Sequence, residues 1–124
     1  MPWRLTNSNT KGSAAEKLAL RYLKRNRLKH VDSNFAVSCG ELDLIMLDGS
    51  TLVFIEVRSR SKSRFGSAIE SITASKIKKI KKTAQWFLQC HAKYHHRPCR
   101  FDVIAITYNN ANGQDRLEWI KGAF

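Results

Sequence analysis

Apolar residues recur at helical spacing in two segments of the chain, and each segment predicts an amphipathic helix. The first helix is predicted to start at Ser13, because Ser13-Ala14-Ala15-Glu16 is a capping box ahead of the periodic residues. The second is predicted from about Thr73 to Tyr94. The two apolar stripes are Ala15, Leu18, Ala19, Tyr22 and Leu23, then Ile77, Ile80, Ala84, Phe87 and Leu88.

Five other stretches have the alternating or continuous apolar pattern of strands. They cover about 31–38, the two arms of a hairpin over 40–58 with its turn at Asp48-Gly49, 99–108, and a short segment from 116. The polar residues 1–12 are predicted to form a disordered tail, and residues 13–124 a single domain. The order α-β-β-β-α-β-β predicts an α/β (α+β) fold, in which helices pack on a mixed sheet.

The hairpin contains carboxylates at positions where a half-buried strand normally carries Val, Ile or Thr. Glu41 and Asp43 lie in its first arm and Glu56 in its second, although the whole chain has only 10 acidic residues. Burying a carboxylate is unfavourable unless a cation compensates it. A divalent metal such as Mg²⁺, which takes one or two protein carboxylates, is the compensation that we expect.

The length of the turn decides whether these acids can act together. A two-residue loop places Asp43 diagonally from Glu56, and a four-residue loop places them directly opposite each other. Both alternatives put the acids and Arg58 on one face, whereas a three-residue loop would separate Asp43 from Glu56. The competing interpretation is a surface hairpin whose acids face water, but Leu44 and Ile55 belong to arms that look buried.

Composition adds the expected class of partner. The net charge is +12 and the pI about 10.1, which favours a polyanion, with nucleic acid first and an acidic membrane surface second. The chain shows no apolar run long enough to cross a bilayer and no signal-peptide core, so we expect a cytoplasmic protein without a membrane association. Three cysteines without a C-x-x-C motif fit a reducing compartment.

Two groups of basic residues are candidates for phosphate contacts. They are Arg58, Arg60, Lys62 and Arg64 after the hairpin, and Lys76, Lys78, Lys79 and Lys82 on the second helix. The alternatives are a flexible basic loop for the first group and a solvated helix face for the second. For Arg58 the alternative is a salt bridge to Glu56 or Glu41.

Two further clusters carry weaker signals. A zinc site could be built from Cys90, His91, His95, His96 and Cys99, but their spacing matches no standard finger, and a helix C-terminus explains the histidines better. Asp102 could pair structurally with a nearby Arg or Lys.

Taken together, the motifs resemble a known group of proteins. An acid on one strand followed by Glu-x-basic on the next is similar to the PD-(D/E)xK nuclease superfamily, which has the restriction-endonuclease-like fold. More closely, the chain resembles the bacterial YraN family of uncharacterised, endonuclease-like proteins. The matching segments are Gly12, Ala15-Glu16, Asn34, Gly40 to Ile45, Val53 to Arg60, Phe65-Gly66, Lys76 and Arg100 to Asp102.

The resemblance implies a central mixed sheet flanked by helices, with Asp43 and Glu56 as ligands of Mg²⁺ or Mn²⁺. It places Arg58 in the position of the superfamily's lysine and makes Glu16 a helper from the first helix, as in archaeal Holliday junction resolvases. Two departures stand out: the lysine position holds an arginine, and the Pro-Asp half of the motif reads Glu41-Leu42-Asp43.

The expected function is therefore a metal-dependent DNA endonuclease acting on branched or recombination-intermediate DNA. Asp43, Glu56, Arg58, Glu16 and Glu41 are its candidate catalytic residues. The alternative is a non-catalytic nucleic-acid-binding protein on a decayed nuclease fold. DNA is favoured over RNA as the partner, and a homodimer would suit an enzyme that cuts both strands.

Overall fold

A computed structural model describes residues 10–61, 71–108 and 115–124 of the chain. Their order is the one predicted, α-β-β-β-α-β-β, with a short 3-10 turn at Ala92–Tyr94 after the second helix. The elements are α1 (Thr10–Arg25), β1 (Lys29–Val37), β2 (Gly40–Asp48), β3 (Thr51–Ser61), α2 (Ala74–Cys90), β4 (Cys99–Tyr108) and β5 (Arg116–Ile120).

The five strands form one mixed sheet in the order β1-β2-β3-β4-β5. Strands β3 and β4 are parallel, and every other neighbouring pair is antiparallel. The parallel pair requires a crossover connection, and α2 lies in it. The α+β fold and its mixed sheet are thus confirmed.

Each face of the sheet buries its own apolar cluster under one helix. Ala19 and Leu23 of α1 pack with Leu44, Val53 and Ile104 on the first face. On the second face, the cluster joins α2 to the inner strands through Ile45, Phe54, Ile80, Ala84 and Phe87. Apart from Ile77, the residues of the predicted helical stripes are therefore those that attach both helices to the sheet. In the described part of the chain, neither helix is long and apolar enough to cross a membrane.

Both predicted helix boundaries need correction. Helix α1 begins at Thr10, so Ser13 lies inside the helix and the capping-box prediction is wrong. Glu16 is then in the second turn, where capping no longer explains it. Helix α2 ends at Cys90, before the predicted Tyr94. Of the predicted N-terminal tail, residues 1–9 lie outside the described part, and the helix includes 10–12.

Gly40 opens β2 where that strand passes close to α2. A Cβ atom at this position would lie 2.6 Å from Oγ1 of Thr83, and the next nearest atom, the Lys79 carbonyl oxygen, would be 3.5 Å away. Thr83 is fully buried, and its hydroxyl donates to that carbonyl at 2.8 Å. The hydroxyl therefore has little room to move, and only glycine fits at position 40 without a shift.

We expect Gly40→Ala to lower the free energy of unfolding by about 1–3 kcal/mol, because the new methyl group overlaps the Thr83 hydroxyl. Thr83→Ala removes that atom and should rescue the variant, leaving the loss of one buried hydroxyl hydrogen bond, about 1 kcal/mol. Urea unfolding of the two single variants and the double variant measures the coupling. Additive effects of the two substitutions would show that the close approach is not the reason for glycine.

Candidate metal and nucleic-acid site

The β2–β3 hairpin has the register that sets Asp43 level with Glu56. Regular pairing runs from Asp48↔Thr51 to Leu44↔Ile55, the alignment predicted for the longer loop, although the loop itself is only Gly49-Ser50. Beyond Leu44 the two strands no longer pair through their backbones. Instead, a carboxylate oxygen of Asp43 accepts the backbone N–H of Val57 at 2.8 Å. The hairpin thus opens where its acids begin.

The pairing of β2 with β1, its other neighbour, is also irregular at the level of Asp43. Asn34 of β1 has φ +54, in the left-handed region that few non-glycine residues adopt. It falls between the pairs Ser33↔Leu44 and Phe35↔Leu42, and so stands opposite Asp43. Because of this irregularity Leu42 packs on the α2 face although Leu44 packs on the α1 face. A regular strand would put these two residues on one face, so the predicted alternation fails at Asp43.

Carboxylates from three elements meet at this irregularity. Glu16 of α1 joins Glu41 and Asp43 of β2, and each contributes an oxygen within 4.8 Å of the others. Asp43 also shares a side-chain hydrogen bond with Glu56 of β3, whose side chain is buried. The structure therefore brings together all four predicted acids, including Glu16, which sequence spacing alone could not connect to the hairpin.

Crowding of these acids disfavours their ionised forms. Burial raises the pKa of Asp43 well above its usual value, with Glu56 as the next cause, while the Val57 N–H lowers it. Burial also raises the pKa of Glu16 from 4.5 to about 7, helped by Asp43 and opposed by a hydrogen bond from the Asn34 side chain. Two neighbouring carboxylates with raised pKa values are typical of functional sites.

Two cations border the cluster at Glu56. The Arg58 guanidinium lies 3.1 Å from Oε2 of Glu56, which is the salt bridge that sequence analysis kept as an alternative. Nζ of Lys76, in the first turn of α2, lies 3.8 Å from the same oxygen. In Arg58 and Arg60 the Nε atoms are buried and have no partner among the described residues. Both strand arginines thus keep one hydrogen-bond donor unused, and the guanidinium of Arg58 lies beside Glu56.

The remaining predicted basic residues are less constrained. Lys78, Lys79 and Lys82 are exposed on α2, and Lys62 and Arg64 lie outside the described residues. Lys76, predicted as one of several surface lysines, instead belongs to the acidic cluster through Glu56. Its role was missed because helix α2 and the hairpin are distant in sequence.

The cysteine and histidine residues near the end of α2 do not form a metal cluster. Among the residues that the structure describes, the sole group of three or more potential ligands is Glu16, Glu41 and Asp43. His91 instead bonds the Phe87 carbonyl through Nδ1 and stacks on the Phe87 ring. Cys90 and Cys99 are exposed free thiols. The zinc alternative therefore finds no support in the geometry.

Asp102 has the structural role that was predicted as its simplest explanation. It is fully buried and accepts hydrogen bonds from the guanidinium of Arg100, from the Trp119 indole N–H and from the Gly122 backbone N–H. Arg100 also contacts Asp48 at the hairpin turn. This network ties β4 to the C-terminal segment and to the hairpin turn.

The acidic cluster fits a hard divalent cation. Its donors are carboxylate oxygens, which Mg²⁺ and Mn²⁺ prefer, and their separation allows one ion to contact several of them. The Oδ1 atom of Asn34 is buried without a hydrogen-bond partner, and an amide oxygen is also a donor for such ions and their bound water. The raised pKa values of Asp43 and Glu16 show that the protein does not compensate the charge of their ionised forms, which a bound cation would do.

Asn34 is a site residue that composition and periodicity did not reveal. Asn34→Gly keeps the left-handed conformation without strain but removes the amide that bonds Glu16. We expect it to weaken Mn²⁺ binding by about 10–100-fold, the usual effect of removing a residue that orients a ligand, while leaving thermal stability nearly unchanged. Calorimetric titration with Mn²⁺ and thermal unfolding measure the two quantities.

Asn34→Ala is the matched control, since it also lacks the amide but must adopt a positive φ with a Cβ, at a cost of about 1–2 kcal/mol. It should bind metal as weakly as Asn34→Gly and unfold at a lower temperature. In a Glu16→Gln background the Gly substitution should have little further effect on affinity. Wild-type affinity in Asn34→Gly would exclude a role for the amide at the site.

Comparison with known proteins places this site in a family. The sequence model described as "Uncharacterised protein family UPF0102" matches residues 15–106, which contain all four acids, Arg58 and Lys76. A UPF0102 protein of Stutzerimonas stutzeri is 46% identical over 121 residues, covering 97% of this chain and 98% of the relative. A UPF0102 protein of Pseudomonas aeruginosa is 45% identical over 118 residues, covering 95% and 94%.

A third relative, from Pseudomonas syringae pv. syringae, is 47% identical over 113 residues and covers 91% of each chain. The matches therefore extend over the helices, the hairpin and the crossover, and are not confined to one motif. The resemblance to the YraN family is confirmed, and the chain belongs to the UPF0102 family.

Proposed function

We propose that this protein is a Mg²⁺- or Mn²⁺-dependent DNA endonuclease, whose expected substrates are branched or recombination-intermediate DNA. The observation that carries the proposal is the convergence of Glu16, Glu41, Asp43 and Glu56 beside the cations Arg58 and Lys76. Phosphodiester hydrolysis by a metal enzyme needs these components: carboxylates for the ion and cations for the phosphate. The net charge of +12 supplies attraction for a polyanionic substrate.

Asp43 is the central metal-binding residue of the proposal. Its carboxylate shares a hydrogen bond with Glu56 and lies within 4.8 Å of carboxylate oxygens of Glu41 and Glu16, so it can share an ion with any of them. The Val57 N–H fixes one of its oxygens. A bound divalent ion would supply a deprotonated water at neutral pH and polarise the phosphate.

Arg58 and Lys76 are assigned to the phosphate. Both point to Glu56 from different elements, so a phosphate that enters beside Glu56 meets two cations. They would hold the scissile group and stabilise the charge that develops in the transition state.

A non-catalytic DNA-binding protein is the second candidate, and one observation favours it. Glu56 is already paired with Arg58 at 3.1 Å, and that pairing competes with metal binding at the same oxygen. In this alternative the basic residues Arg60, Lys78, Lys79 and Lys82 retain phosphate contacts while the acids no longer serve hydrolysis. Both candidates are consistent with a cytoplasmic protein, and a homodimer remains part of the proposal for double-strand cutting.

Cleavage assays separate the two candidates. A four-way junction, a flap, a single strand and a linear duplex are incubated with Mg²⁺ or Mn²⁺, comparing wild type with Glu56→Gln. Asp48→Asn is the matched control, because it makes the same change at an acid of the same hairpin outside the cluster. Metal-dependent cleavage that Glu56→Gln abolishes and Asp48→Asn retains supports the nuclease. Binding without cleavage, equal in both variants, supports the binding protein.

A further inference from the structure

The flank of helix α2 next to the β1–β2 turn carries an exposed tryptophan that follows two lysines. Trp86 is 47% exposed and is the one large apolar side chain so exposed among the described residues. It follows Lys82 by four residues and Lys79 by seven, a spacing that places the three side chains along one stripe of the helix. Both lysines are exposed, and we call this stripe the Trp86 flank.

The Trp86 flank continues into the acidic cluster. The Lys79 backbone lies against Gly40, close enough that a Cβ there would be 3.5 Å from its carbonyl oxygen, and Gly40 precedes Glu41. Lys76, one turn earlier, contacts Glu56. From Lys76 to Trp86 the helix rises by about 15 Å, a distance that a few nucleotides of an unpaired strand can span. A nucleic-acid strand that lies on this flank can therefore reach the acids with its phosphate backbone.

We propose that the Trp86 flank binds an unpaired stretch of nucleic acid, with the Trp86 indole stacking on a base and Lys79 and Lys82 contacting the flanking phosphates. This deepens the proposed function and rests on its nucleic-acid partner, since it names a substrate with unpaired bases within a few nucleotides of the acidic cluster. Exposed aromatic rings among cations are how proteins bind single strands without reading sequence.

Charge and packing argue against other occupants. In a duplex the base faces are covered by their neighbours, so an indole on a convex helix surface has no face to stack on. A membrane surface would require the apolar stripe of α2, but Ile80, Ala84 and Phe87 of that stripe are buried against the sheet. The lysines beside Trp86 favour an anionic partner over an apolar protein surface.

The test measures binding by fluorescence anisotropy in EDTA, so that cleavage plays no part. The probes are labelled dT12, labelled U12 and a labelled 12-base-pair duplex. We expect Trp86→Ala to weaken single-strand binding by about 5-fold or more and to leave duplex binding within about twofold. Trp86→Phe retains an aromatic face and should stay within about threefold of wild type. If Trp86→Ala weakens the binding of both dT12 and U12, the flank binds unpaired bases of DNA and of RNA. If it weakens the binding of one probe only, that probe shows which of the two nucleic acids the flank binds.

Salt dependence distinguishes stacking from phosphate contact. Trp86→Ala should leave the slope of log affinity against log salt unchanged, while Lys79→Gln and Lys82→Gln should each reduce it by about 0.7. Lys81→Gln is the matched charge control, because Lys81 lies on the opposite flank with its Nζ 5.8 Å from the Phe101 ring centre. It should change the slope less than either flank variant.

The proposal is overturned if Trp86→Ala leaves single-strand binding intact, or if it weakens duplex binding equally. Trp86 is exposed, so its replacement is not expected to unfold the protein, and circular dichroism of each variant checks this. Failure of cleavage in the metal assays, together with the expected binding results, would refute the nuclease and leave the Trp86 flank standing. Cleavage that persists while Trp86→Ala binds normally would refute the flank alone.

Discussion

Asp43→Asn is expected to raise the thermal stability of the metal-free protein at pH 8 and to abolish its stabilisation by Mn²⁺. Burial and Glu56 hold the pKa of Asp43 well above its usual value of 3.8. The native state therefore binds more protons than the unfolded chain, and stability falls as the pH rises from about 4. Glu16 adds the same trend between pH 4.5 and about 7. Asparagine removes the charge at the centre of the cluster and can still accept the Val57 N–H.

Metal should reverse this trend in the wild-type protein. An ion at 100 times its dissociation constant stabilises a fold by about 2.7 kcal/mol, and the acids bind it better when they are ionised. We therefore expect a melting temperature that falls between pH 5 and pH 8 without metal and is restored at pH 8 by Mn²⁺. In Asp43→Asn the pH dependence should be shallower and Mn²⁺ should have little effect.

Differential scanning fluorimetry across pH, with EDTA or Mn²⁺, measures these differences, and cleavage assays follow in parallel. Loss of a ligand should reduce cleavage by at least about 100-fold, more than loss of a residue that only orients a ligand. Asp48→Asn again provides the control, since Asp48 lies at the hairpin turn beside Arg100. If Mn²⁺ stabilises Asp43→Asn as much as wild type, the ion binds elsewhere and the site assignment is wrong.

The parts of the site that sequence could predict depend on local alternation. Asp43 and Glu56 were placed on one face because both registers predicted from the turn put them there, and the observed register is the one predicted for the four-residue loop. The same reasoning predicted the buried positions of Leu44, Val53 and Ile55. Such inferences need only the period of a strand and the length of a turn.

The remaining parts depend on contacts between distant elements or on backbone irregularity. Glu16 joins the acids because α1 packs across the sheet, and Lys76 joins them because α2 begins beside Glu56. Asn34 has a left-handed conformation in the middle of a strand, which no pattern of apolar residues indicates. The irregularity opposite Asp43 also moves Leu42 to the other face, so regular alternation fails where the acids gather.

A substitution outside the acidic cluster should have the largest effect on stability. Asp102→Asn is expected to lower the free energy of unfolding by about 3–5 kcal/mol, because it removes the charge that a partly buried Arg100 requires. The two Asp102 oxygens accept hydrogen bonds from Arg100, Trp119 and Gly122. Asparagine has only one acceptor oxygen, and its amide nitrogen is itself a donor. That nitrogen would face N–H groups that Asp102 now accepts.

Asp48→Asn makes the same chemical change at the other partner of Arg100. The Asp48 side chain is 34% exposed and that of Asp102 is not exposed, so water can replace the first partner but not the second. We expect less than about 1 kcal/mol from Asp48→Asn, measured by urea unfolding with circular dichroism as the probe. Equal decreases in the free energy of unfolding in the two variants would mean that only the negative charge opposite Arg100 contributes to stability. A large loss confined to Asp102→Asn would show that the buried donors around Asp102 hold the C-terminal segment on the sheet.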